Sequence, residues 1–130
     1  MNESLAEQEQ EELEPEQVRK PELIQDKEYA YILALIEPLP ISDVQKHKFE
    51  TMFDQAKGNI EMLSREQRTE IAMETPQKMY ESKRKYQSDN NLPNLDQVDG
   101  FIQQTSSYLL HLTLELNTKE ASLELERRSR

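Results

Sequence analysis

Two glycines in 130 residues, Gly58 and Gly100, set the strongest limit on what this chain can fold into. Tight hairpins and phosphate-cradling loops need backbone positions with positive φ, and glycine is the residue that fills them cheaply. A fold rich in β-hairpins is therefore excluded. So are the glycine-rich nucleotide cradles, and neither GxxxxGK[ST] nor GxGxxG occurs. The chain must be built from elements whose turns tolerate ordinary residues, and that points to helices.

The apolar spacing agrees. Pro21 can open a first helix, followed by acidic residues that suit its dipole. The run Tyr29–Ile36 is apolar on all sides, and Pro38 and Pro40 stop it. Ser42 is an N-cap candidate and Gly58 a C-cap candidate. Between them Val44, Phe49, Met52, Phe53 and Ala56 form one stripe, predicting a helix of about four turns. Ser64 and Gln67 match a capping box ahead of Ile71, Ala72 and Met73. Thr75-Pro76 predicts a restart or a kink before Met79, Tyr80 and Tyr86. Ser88–Pro93 reads as a loop. A last helix starts near Asn94 and runs to about Glu126.

In that last helix Ile102, Leu109, Leu116 and Leu123 are seven apart, with Leu112 between, as in a coiled-coil seam. Thr105, Lys119 and Glu126 interrupt the register. A strand is the rival reading, because Leu110, Leu112, Leu114 and Leu116 alternate. Leucine is a strong helix former and β-branched residues are scarce here, so helix is preferred. The expected fold is all-α, with four or five helices in a small bundle or an extended helical adaptor. A disordered acidic tail over 1–20 precedes a helical domain over 21–130.

Charge supports that division. The net charge is −10, and residues 1–16 hold seven glutamates and no lysine or arginine, which leaves −3 for the rest. Like charges and few apolar side chains keep such a tail from burying enough surface to fold alone. A nearly neutral body is a poor duplex binder, since backbone affinity comes from neutralising phosphates. The one cationic patch is Lys78, Lys83, Arg84 and Lys85, with Tyr80 and Tyr86 interleaved. It resembles nucleic-acid contact chemistry, but Glu70, Glu74 and Glu81 dilute it, and a solvated helix face explains it as well.

Reaction chemistry is hard to place. There is no cysteine, so disulfides, zinc-thiolate sites and thiol catalysis are excluded. His47 sits in a Lys-His-Lys run and His111 between two leucines, and no glutamate lies three residues before either. A carboxylate-bridged metal site on a bundle needs that Glu-x-x-His spacing. The expectation is no enzyme, no metal and no cofactor. No stretch of about 20 apolar residues spans a bilayer and the N-terminus has no signal-peptide pattern, so an intracellular soluble protein is expected, cytoplasmic or nuclear.

Apolar residues make up 35% of the chain, against about 45–50% in ordinary soluble domains. The core therefore reads as underfilled and completed by a partner. On that reading the chain is a non-enzymatic helical subunit or adaptor of a larger assembly. Its partner-binding residues are Ile32, Leu33, Leu35 and Ile36, then Phe49, Met52 and Phe53, then Leu109, Leu112, Leu116 and Leu123. Other protein subunits are the expected partners, and the C-terminal helix allows a homo-oligomer. Two alternatives stand beside it. The acidic tail docks on a basic surface of a nucleic-acid-processing machine, or the 78–86 patch contacts nucleic acid itself.

Overall fold

A computed structural model describes residues 24–129, and the acidic tail expected over 1–20 lies outside the described residues, as does Pro21. Four helices follow in order: α1 (Ile24–Ile36), α2 (Asp43–Met62), α3 (Arg65–Asp89) and α4 (Asp96–Arg128). The chain is all-α, and the described residues contain no strand. The longest helix, α4, packs against each of the other three, and α1 does not touch α3.

Capping sets most of the boundaries. Ser42 Oγ accepts from the Gln45 N–H at 3.2 Å and opens α2. The Ser64 and Gln67 side chains form the capping box that opens α3. Only Leu63 and Ser64 separate α2 from α3, so the pair is a tight antiparallel hairpin. Asn94 Oδ1 accepts from the Asp96 N–H at 2.8 Å where α4 begins. Asn91 supplies the one positive φ among the described non-glycine residues, at 55°, in the loop before it.

Two stop signals in the sequence are overridden by packing. Helix α2 does not end before Gly58; it runs through it to Met62, because Ile60 must reach the core and is fully buried. Nor does the chain restart at Pro76. Ala72 and Met79, a turn to either side, are both fully buried, and Pro76 is buried between them. Keeping that face continuous outweighs the hydrogen bond the proline cannot donate. Val44, placed on the α2 stripe by spacing, is 79% exposed; Gln45 turns inward instead and donates to Ser82 Oγ at 2.8 Å.

The core is centred on aromatic rings. Phe53 stacks within 5.0 Å of Tyr29 and 5.4 Å of Tyr108, and Phe49 lies 5.7 Å from Phe101. Ile60, Met79, Val98, Ile102, Leu109 and Leu112 close around them. The interior also takes polar residues, namely Gln45, Arg68, Thr75, Thr105 and Thr113. These are buried side chains that the apolar count does not include.

Two substitutions test this account. A Cβ added at Gly58 meets nothing within 4 Å, and the site is in a helix interior. Gly58→Ala should therefore raise the unfolding free energy by about 1 kcal/mol. The buried Thr105 hydroxyl has no hydrogen-bond partner among the described residues. Thr105→Val should stabilise by about 1 kcal/mol. Urea denaturation followed by circular dichroism measures both, and a loss of stability in either would contradict the packing described.

Candidate interaction surface

The eleven residues that spacing marked for partner binding divide sharply. Ile32, Ile36, Phe49, Phe53, Leu109 and Leu112 are buried in the chain's own core and cannot also face a partner. Leu33, Leu35, Met52 and Leu116 are partly buried against it. Leu123 alone of the eleven is exposed, at 55%. The seam of α4 is satisfied at home as far as Leu116. Beyond it, residues 118–129 are all exposed, and within them Glu120 pairs with Arg68 of α3.

The side chains that do face outward were hidden in the leucine alternation. On a helix, every second residue falls on nearly opposite sides. Leu112 and Leu116 point to the core, and Leu110 and Leu114 point away from it. Leu114 and Leu125 are each 63% exposed. Leu110, Leu114, Ala121 and Leu125, separated by four, seven and four residues, mark one outward stripe. Helix α4 thus carries two apolar faces and covers one.

A groove between α1 and α4 adjoins this face. It encloses about 360 Å³ and is walled by Tyr31, Leu35 and Leu39 on one side and Gly100, Phe101 and Gln104 on the other. A second hollow of about 260 Å³ shares Tyr31 and Gln104 and runs on to Ser107 and His111. Tyr31 is 60% exposed at their junction.

Where α4 leaves the body, one buried cation holds it. The Arg68 guanidinium donates through Nε to the Ile60 carbonyl at 2.8 Å and through Nη1 to Asn117 Oδ1 at 2.9 Å. Its Nη2 bonds to the Glu120 carboxylate. The Ile60 carbonyl lies in the last turn of α2, where no intrahelical donor is available, so Arg68 caps one helix while tying down another. The hydrogen bond from Arg68 holds the Glu120 carboxyl below the usual carboxylate range, and Glu120 in turn raises the Arg68 pKa.

Half of the cationic patch is paired with carboxylates. Lys83 pairs with Asp99 at 2.7 Å, and Lys85 with Asp89 at 2.9 Å. The Tyr86 hydroxyl accepts from the Ser42 N–H at 3.0 Å, and Tyr80 packs on the core. Lys78 and Arg84 are exposed on α3. The two histidines lie on different helices, each 3.9 Å from a glutamate, His47 from Glu50 and His111 from Glu28. Among the described residues, no three His, Asp or Glu side chains gather as a metal site, and no helix is long and apolar enough to cross a membrane. No family model, curated protein or solved structure matches the chain.

The Arg68 clip gives a prediction with two parts. Arg68→Met keeps the stem but orphans the Ile60 carbonyl, and should cost about 2 kcal/mol. Glu120, whose folded pKa is depressed, contributes stability that is present above its unfolded pKa. That contribution is lost as the pH falls through the folded value. Glu120→Gln should therefore flatten the fall in stability below the ordinary carboxylate range. Denaturant melts across acidic pH measure it; an unchanged slope would show that the pair is not formed in solution.

Proposed function

We propose that this chain is a non-enzymatic helical docking subunit that engages another helical protein surface through the outward face of α4. The observation that carries this reading is the second apolar stripe, Leu110, Leu114, Ala121 and Leu125, on a helix whose other face already fills the core. Its upper part lies on the body and its lower part on the stretch of helix that stands free. A projecting helix with a leucine stripe fits the helix-in-groove or helix-on-helix mode, where residues three and four apart are the anchors. Arg68 supports the role by fixing the direction in which the free segment leaves the body. The groove beside Tyr31 extends the apolar surface on one side.

Direct nucleic-acid contact through Lys78, Lys83, Arg84 and Lys85 has less support, because Asp99 and Asp89 already neutralise two of the four. Docking through the glutamate-rich segment before residue 17 concerns residues outside those described.

A photo-crosslinking residue placed singly at Leu114 or at Leu125 tests the reading in native extract. Val44, more exposed than either and on α2, serves as the control. Both α4 positions should give the same discrete cross-linked species, absent from the control. If they give nothing beyond the control, the reading fails.

A further inference from the structure

We infer that the surface received by the α4 stripe is a second copy of this chain, laid antiparallel across it with the two-fold axis between Lys119 and Glu120. This rests on the docking reading above and names its partner.

The first argument is an inversion in the sequence. Residues 114–125 read Leu-Glu-Leu-Asn-Thr-Lys-Glu-Ala-Ser-Leu-Glu-Leu, with Leu-Glu-Leu at each end. Reversing the helix about its centre brings Leu114 onto Leu125 and Thr118 onto Ala121. A two-fold interface joins the same patch on both copies, so the patch must be complementary to its own inverse. Leu114, Thr118, Ala121 and Leu125 meet that requirement, with four layers of small and large side chains at spacings of four, three and four; Leu110 lies outside the overlap. Leu114 and Leu125, which would meet, are equally exposed.

The second argument is room. The last buried residue of α4 is Thr113, and side chains from 118 to 129 are exposed. The axis therefore falls past the last buried residue of α4, at the level of the Arg68–Glu120 pair. Two copies overlap over residues 111–128, about 27 Å at 1.5 Å per residue, with their bodies at opposite ends.

Charge supplies the third. On the flanks of the stripe, Glu115 meets Ser122 of the other copy and Asn117 meets Glu124, so no like charges face each other. A parallel pair would instead bring Arg127 and Arg128 of both chains together. The inner seam makes a poorer interface. Inverting Leu116 onto Leu123 sets Lys119 against Glu120 of the other copy, and so competes for the carboxylate already bonded to Arg68. An overlap of this length lies at the small end of stable interfaces, so the dimer is concentration-dependent.

Sedimentation velocity on the full chain, from roughly 5 to 500 µM, reads the assembly directly. The expected result is a monomer that converts to a dimer within that range. Leu114→Glu with Leu125→Glu should weaken it by at least about tenfold, since the introduced carboxylates of the two copies would face each other across the interface. The helix content should stay unchanged, because both side chains are outside the core. The absence of native cysteine allows a test of direction. When chains carrying Leu114→Cys and Leu125→Cys are mixed and oxidised, the mixed disulfide dimer should predominate over either self-linked one. Predominance of self-linked Leu114→Cys dimers means parallel pairing and overturns the inference. A dimer untouched by the double glutamate variant overturns it too. A monomer at every concentration overturns the choice of partner, and the crosslinking comparison with Val44 then decides separately whether α4 docks at all.

Discussion

The Arg68 guanidinium is the interaction on which the arrangement of the helices depends. It is almost fully buried, and a buried cation must be paired on every side or it destabilises its surroundings. Its three partners come from two different helices, the end of α2 and the exit of α4, and it stands on a third. The Ile60 carbonyl is the contact with most at stake. Glu120 is half exposed, so water competes for the ion pair and weakens it. The carbonyl is buried at a helix end, and without Arg68 it would lose its donor altogether. The charge therefore acts less as half of a salt bridge than as a cap that happens to reach a second helix.

That cap separates two regimes along α4. Up to Leu116 the helix is held by packing: Val98, Phe101, Ile102, Tyr108, Leu109 and Leu112 all face inward. Past Glu120 it is held by its own hydrogen bonds and by continuity with what came before. An isolated segment of that length would be marginal in water, because helix nucleation is costly. Here the nucleus is already formed, and each added residue needs only propagation. Pairs such as Lys119 with Glu115 and Arg128 with Glu124 add a little along the surface.

How much of this was legible in the sequence follows from where local and tertiary forces agree. Ser42, Ser64 and Gln67 announced two helix starts, because a cap is a local hydrogen bond and needs no partner from elsewhere. Gly58 misled, and of the two readings at Pro76 the restart is not taken, because these signals are local while the deciding force was burial of Ile60, Ala72 and Met79 by other helices. The seam through Ile102, Leu109 and Leu116 was visible as spacing, but its destination was not. Counting apolar residues made the core look too small, and that count has no place for the stem of Arg68 or for buried threonines. The leucine alternation at 110–116 matches the period of the competing strand. Its meaning on a helix, two faces rather than one, became readable only once α4 was set against α1, α2 and α3.

The consequence reaches the question of function. A chain poor in apolar residues that still leaves Leu114 and Leu125 in water has not run short of places to put them. Leu112 and Leu116, their neighbours two positions in from Leu114, are covered or partly covered at home. Single exposed leucines are ordinary on protein surfaces and need no explanation. A stripe of them continued over four turns, half on the body and half on a free helix, differs in kind. It is the periodic pattern, not the exposure of any one residue, that separates a docking face from surface noise. Among the described residues, the pattern repeats at helical spacing on the side of α4 turned away from the core.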